Sequence, residues 1–224
     1  MKYLIVIIVI GIIITAGIFL TKGGNEETGK ETSLSDRGIM SESASDGMYG
    51  VVAEESVINW EGRKPRVANY RDRGTISVSS GNFTVSGDEV TDGNVVIDMN
   101  SITVLSTGLG TGESMLQNHL KTDDFFSVEE FPTAELKVTS AVLGEDGFYK
   151  VRGTLTIKGI TNDVEFPAVV STEGDSIEIE GETQLDRTLW DVRFGSGKFF
   201  SDLTDNLVDD FFTVSFSVTA RRAQ

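Results

Sequence analysis

The sequence predicts an all-β fold, a barrel of about eight antiparallel strands with two short helices, carried behind an N-terminal transmembrane helix. Three observations lead there. After Met48 the apolar residues recur with a period of two. Short runs of Gly, Asn, Asp and Ser punctuate that alternation. One long uncharged apolar stretch stands by itself at the start.

That stretch, Leu4 to Leu20, reads LIVIIVIGIIITAGIFL between Lys2 and Lys22. A helix from Tyr3 to Thr21 would be about 28 Å long, against a hydrocarbon core of about 30 Å. A cleaved signal peptide is the rival. Its apolar region is usually shorter and ends in small residues, whereas Gly17-Ile18-Phe19-Leu20 is bulky. An uncleaved anchor is therefore favoured. With Lys2 before the span and Glu26 and Glu27 after it, the N-terminus is expected inside. Either way the rest of the chain is expected outside the cytoplasm, periplasmic or at the cell surface, and secreted if the segment is removed. Residues 1–22 are thus read as anchor or signal segment. Residues 23–47, rich in Gly, Ser, Thr and Glu, are read as a flexible linker, and 48–222 as the barrel domain.

Within the domain, Tyr149, Val151, Leu155 and Ile157 alternate with Lys150, Arg152, Thr154 and Thr156, the pattern of a half-buried strand. The same alternation marks Ile58/Trp60, Ile76/Val78, Val95/Ile97/Met99, Leu136/Val138, Val164/Phe166/Ala168/Val170, Ile177/Ile179 and Phe212/Val214/Phe216/Val218. Ser80-Gly81-Asn82, Thr91-Asp92-Gly93 and Glu145-Asp146-Gly147 read as tight turns between antiparallel neighbours. A first helix is expected after Gly112, with Ser114 and Gln117 at capping-box spacing, and a second near Asp202. One-sided strands need something to cover their apolar face, and closing the sheet on itself satisfies both face and edges. An eight-stranded barrel is either filled by side chains or holds one small ligand, and the sequence leaves both open.

Composition removes several function classes. The 224 residues carry 35 Asp and Glu against 19 Lys and Arg, a net charge of -16 that opposes nucleic-acid binding. With no cysteine and one histidine, thiolate zinc sites, disulfides, cysteine nucleophiles and multi-histidine metal centres are excluded. No P-loop or dinucleotide fingerprint occurs, and neither a metal nor a cofactor is expected.

Several motifs, in order, resemble the YceI-like family. They are Trp60-Glu61-Gly62-Arg63-Lys64; Ile97-Asp98-Met99-Asn100-Ser101-Ile102; Asn118-His119-Leu120-Lys121-Thr122-Asp123-Asp124-Phe125-Phe126; Phe131-Pro132-Thr133-Ala134; Gly153 to Thr161; and Asp186-Arg187-Thr188-Leu189-Trp190 with Gly195-Ser196-Gly197. The likeness covers about Val52 to Ala220. It implies an extended, lipocalin-like antiparallel barrel whose apolar tunnel holds a polyisoprenoid or similar amphiphilic lipid, in an exported protein. Relatives often carry a histidine just before the glycine that opens the second strand. Here Asn69 to Arg73 precede Gly74, so no role attached to that histidine carries over.

Candidate ligand contacts are Trp60, Trp190 and Phe194, which share inward parity, and Phe125 and Phe126 after the first helix, all equally suited to core packing. His119 reads as a structural hydrogen-bonder to a neighbouring strand, or as a donor to a polar head group. Arg63, Lys64, Arg66, Arg71 and Arg73 crowd one segment of an acidic chain. They read either as a solvated loop or, through Arg71 and Arg73, as a grip on an anionic head group at the barrel mouth. The pairs Asp123-Asp124, Glu129-Glu130 and Asp209-Asp210 read as solvated carboxylates. A lipid-binding barrel follows as the first expectation, without catalysis and with the membrane as partner. A filled structural or stress-related module is the alternative.

Overall fold

The computed structural model describes residues 44–87 and 89–223. The proposed membrane anchor and nearly all of the linker fall outside these residues. Among the described residues, no helix is long and apolar enough to cross a membrane.

Nine antiparallel strands make the sheet among the described residues: β1 (Gly47–Val51), β2 (Val57–Arg63), β3 (Arg71–Ser86), β4 (Glu89–Ser106), β5 (Thr133–Leu143), β6 (Tyr149–Ile157), β7 (Ile160–Glu173), β8 (Ser176–Asp186) and β9 (Phe211–Arg222). Their order is β3-β2-β9-β8-β7-β6-β5-β4, and β4 pairs back onto β3, which closes the barrel. β1 lies end to end with β2 across a short 3-10 turn at Ala53–Glu55, and like β2 it pairs with both β3 and β9. Nine segments therefore fill eight positions, as the alternation predicted.

Inward residues follow the pleat. In β6, Val151, Gly153, Leu155 and Ile157 are buried and the residues between them are not. Two of the expected turns are corrected: Ser80-Gly81-Asn82 lies inside β3 and Thr91-Asp92-Gly93 inside β4. These glycines serve packing rather than chain reversal. Gly93 stands opposite Phe83, whose ring lies 2.5 Å from where a Gly93 Cβ would be, and the β3–β4 register shifts just before Gly81. The chain reverses instead after Gly87, at φ 61°. The Glu145-Asp146-Gly147 turn is present, with Gly147 at φ 82°.

Among the described residues there is one α-helix, α1 (Glu113–Leu120). Its N-cap is Gly112, and no side chain caps it, so the expected capping box does not form. Gln117 instead turns to β4, where its Oε1 accepts the Val104 N–H at 3.1 Å. The second expected helix is only a 3-10 turn, Thr204–Asn206.

β7 pairs with β6 along its first half and with β8 only over Ala168–Glu173, so β7 and β8 part towards one end of the barrel. A 3-10 turn, Arg187–Trp190, fills that gap. Its Trp190 is 1% exposed, and the indole N–H donates to Leu155 O at 3.0 Å. Trp190 and Phe194 were expected within strands. Both lie instead in the 187–210 segment that borders this end.

Candidate functional site: a tunnel open at one end

The inward faces of the strands do not meet. They enclose a cavity of about 480 Å³, within the range usual for small-molecule pockets. Ile76, Ile97, Leu136, Val164, Ile179, Val214 and Phe216 line it, and each is only half-buried although it points away from bulk solvent. That residual accessibility faces the lumen. Along β3 the lining runs from Tyr70 to Phe83, which at about 3.3 Å per residue and the usual barrel tilt is roughly 30 Å of depth. The volume over that depth describes a narrow bore.

One end is shut by the β3–β4, β5–β6 and β7–β8 hairpins, where Phe83, Val90, Ala141 and Val151 form a buried floor. The other end is ringed by the 64–70 and 107–112 loops, α1 and the 187–210 segment. Lining residues there reach solvent, among them Phe194 at 40% exposure. Apart from Thr183, which lies in β8, the polar lining residues gather at this mouth: Lys64, Tyr70, Asp72, His119, Arg187, Asn206 and Asp209, with Arg63 bordering it although its guanidinium group turns outward to Glu61.

Of the eight residues singled out in the sequence, Trp60, His119, Phe125, Phe126 and Phe194 line the cavity; Arg71, Arg73 and Trp190 do not. His119 bonds no neighbouring strand. Its Nε2 pairs with Asp124 Oδ2 at 2.9 Å, and its ring meets Phe125 and Phe194 edge-on at 5.0 and 4.7 Å. Asp124, expected to be simply solvated, is thus the orienting partner of the one imidazole. Among the described residues, no cluster of three His, Asp or Glu side chains is arranged to hold a metal ion.

Register explains where the arginines go. Gly62 pairs with Asp72 on the inner face, so Glu61, Arg63, Arg71 and Arg73 alternate to the outer one. There three guanidinium groups converge on a single carboxylate. Arg63 Nε and Arg71 Nε each lie 2.9 Å from Glu61 Oε1, and Arg73 Nη2 lies 2.8 Å from Oε2. Burial pushes the Glu61 carboxyl up, but hydrogen bonds from Arg63 and Arg73 and their positive charges outweigh it and hold the group below its ordinary value.

Asp72 takes the inward place. Its Oδ1 accepts the Gly108 N–H at 3.0 Å. Burial raises its pKa, and the Gly108 and Tyr70 hydrogen bonds and the Lys64 charge offset this only in part. Tyr70 is pushed up to about 12 by burial and by the Asp72 charge, with the Lys64 ammonium 5.0 Å over its ring. Neither Tyr70 nor Asp72 was picked from the sequence. The alternation around Arg71 and Arg73 was the available signal, because it already puts Asp72 on the opposite face from both arginines.

The rim is locked by Arg187, 5% exposed. It donates to Asp209 O at 2.9 Å, Val192 O at 2.8 Å and Val208 O at 3.2 Å. Beside it, burial raises the Asp186 pKa, while hydrogen bonds from Lys198 and Thr188 and the Lys198 charge bring it below its usual value. Lys198 Nζ reaches Asp186 at 2.7 Å and Asp210 at 3.6 Å.

Residues 49–220 match the model of the YceI-like domain. In Staphylococcus aureus, UPF0312 proteins of strains N315 and USA300 are 36% and 39% identical over 83 residues, 35% of this chain and 46% of theirs. The chain thus spans about half the length of the curated relatives it matches. Among solved structures, a polyisoprenoid binding domain from Saccharophagus degradans implicated in plant cell wall breakdown superposes with a TM-score of 0.60 at 17% identity, over 78% of this chain and 98% of that one. BcnA of Burkholderia cenocepacia superposes at 0.56 and 21% identity, over 75% and 98%. At such identities the likeness is one of fold.

Proposed function

The chain belongs to the YceI-like family, and on that premise we propose that its barrel binds, stores or transports an isoprenoid-like or other amphiphilic lipid outside the cytoplasm. The observation that carries this reading is the narrow bore itself, apolar in depth and polar at its one open end. A linear hydrocarbon with a single polar terminus has the same distribution. Each methylene moved from water into such a wall contributes about 0.8 kcal/mol. The Saccharophagus degradans relative, named as a polyisoprenoid binding domain, supports the same ligand class.

In this reading Trp60, Phe125, Phe126 and Phe194 touch the chain near the mouth, and His119, Lys64, Tyr70 and Asp72 face the polar terminus. Trp190 supports the wall from behind. Arg71 and Arg73 act at one remove, through the Glu61 cluster. The protein is a carrier, not an enzyme, and the apolar segment 4–20 fixes it to a membrane.

The test is an organic extract of the purified full chain read by mass spectrometry, followed by titration with an isoprenoid quinone and a polyprenyl phosphate. An extractable lipid and saturable binding of one of the two are expected. A clean extract together with failure to bind either would overturn the proposal and leave a barrel with a structural or stress-related role.

A further inference from the structure

We propose that the open end of the barrel is a docking surface for a lipid bilayer that contains anionic headgroups. Large apolar side chains stand exposed around the mouth: Leu109 at 73%, Met115 at 77% and Phe200 at 51%, with Leu189, Phe199 and Phe211 beside them. They come from the 107–112 loop, α1, the Arg187–Trp190 turn and the chain leading into β9. These segments are remote in sequence, yet contacts join them in one rim. The Gly108 N–H donates to Asp72, Gln117 accepts from Val104, His119 packs on Phe194, and the Asp209 N–H donates to Arg63 O at 2.9 Å.

Two further observations say what covers this rim. It surrounds the opening of the apolar bore, so a long-chain lipid entering there passes from one greasy surface to another only if the mouth rests on a membrane. Crossing water instead would expose every methylene. This step rests on the lipid-carrier reading. The second observation is charge. In a chain of net charge -16, residues 61–73 carry Arg63, Lys64, Arg66, Arg71 and Arg73 against Glu61 and Asp72, five cations and two carboxylates, a local net of +3. Carboxylates occupy the rest of the same end: Glu113 on α1, then Asp123, Asp124, Glu129 and Glu130, and Asp191, Asp202, Asp205, Asp209 and Asp210 in the 187–210 segment. The basic lip is therefore the side that anionic headgroups attract, and contact is led from the 64–70 loop, with the exposed aromatic residues entering the interface. The closed end has exposed Leu143 and Phe148 but no opening between them.

The chain contains no cysteine, so single labels can be placed cleanly. Leu109→Cys and Phe200→Cys at the rim and Phe148→Cys at the closed end would each carry an environment-sensitive fluorophore, in the full chain reconstituted in vesicles of phosphatidylcholine and phosphatidylglycerol. The rim labels should be quenched by spin-labelled lipid and protected from aqueous iodide, and the Phe148→Cys label the reverse. All three labels equally open to iodide, or Phe148→Cys quenched by lipid as strongly as the rim, would overturn the proposal; so would rim protection that persists without vesicles, which would point to a protein partner or a second copy. Arg66→Glu should lower lipid quenching at the rim severalfold, and unchanged quenching would overturn the anionic part. Titrating the same labelled chains with an isoprenoid quinone and a polyprenyl phosphate separates the two readings. Ligand bound while the rim stays in water sinks docking alone, and an immersed rim with no ligand bound sinks the carrier.

Discussion

Trp60 stands directly across the β2–β3 ladder from Gly74, and its indole lies over the space a Gly74 side chain would take. A Cβ on Gly74 would come within 2.6 Å of the Trp60 ring and 1.8 Å of the Thr103 carbonyl oxygen. The ring could rotate away, but the backbone oxygen of β4 has no such freedom. Bare backbone at this one position lets a tryptophan line the tunnel where three strands crowd together.

Gly74→Ala is therefore expected to destabilise the domain by about 1–3 kcal/mol, the usual range for overpacking. It should also shift the emission of Trp60, because the other tryptophan, Trp190, is sealed behind Leu155. Denaturant unfolding with tryptophan fluorescence checks both. A variant as stable as its parent with unchanged emission would contradict the steric argument.

A hollow centre makes an unusual prediction about enlarging side chains. Ile97→Phe and Val164→Phe add volume towards the lumen and should cost less than about 1 kcal/mol, whereas Ile177→Phe, at 1% exposure and away from the cavity wall, should cost about 1–3 kcal/mol. The two lumen variants should also lose bound lipid. Melting temperatures set beside lipid content by mass spectrometry test the contrast, and equal destabilisation at all three sites would mean that the centre behaves as a packed core.

Arg187 holds three carbonyls with one planar fork. Arg187→Lys keeps the charge yet places a single ammonium where those acceptors diverge, so it should be nearly as damaging as Arg187→Met. Both should cost at least about 2 kcal/mol, through buried acceptors left unpaired. Hydrogen exchange should show faster opening of residues 187–210 than of β5 and β6. Full rescue by lysine would mean that charge, not the fork, secures the rim.

Acid should weaken the fold through Glu61 and Asp186. Both have folded pKa values below their ordinary 4.5 and 3.8, so each adds stability that is complete above those values and is lost as pH falls through the lower folded ones. Asp72 has the opposite sign. Its raised pKa makes protonation favour the folded state, so acidification relieves a cost there. Glu61→Gln should flatten the acid limb of a stability-against-pH curve, and Asp72→Asn should steepen it. Urea midpoints measured from about pH 3 to 6 would show this, and parallel curves for parent and Glu61→Gln would exclude the arginine cluster as a source of acid sensitivity.

Much of the barrel was legible in the chain because side-chain direction in a strand depends only on parity. The inward sets at β6 and β9 could be read from residue order, as could closure by one-sided strands. Glycines misled where their use was not local. Gly81 and Gly93 look like turn residues, but their role is to admit Val51 and Phe83 from other strands. The capping pair Ser114 and Gln117 failed for the same reason, since Gln117 had a better partner on β4. In the site, aromatic residues near the mouth were readable individually. The outward turn of Arg71 and Arg73 was not, because it depends on β2 meeting β3 in a register that pairs Gly62 with Asp72.

The sequence by itself determined the class of fold, the number of strand positions, the acidic surface and the family, since each follows from composition, alternation or the order of motifs along one chain. Only the tertiary structure decided that the barrel is hollow, that it opens at one end and that Asp72 rather than Arg71 or Arg73 faces the opening. A void is the volume left when eight strands set at a particular tilt and register fail to fill their own interior, and no residue carries that difference alone.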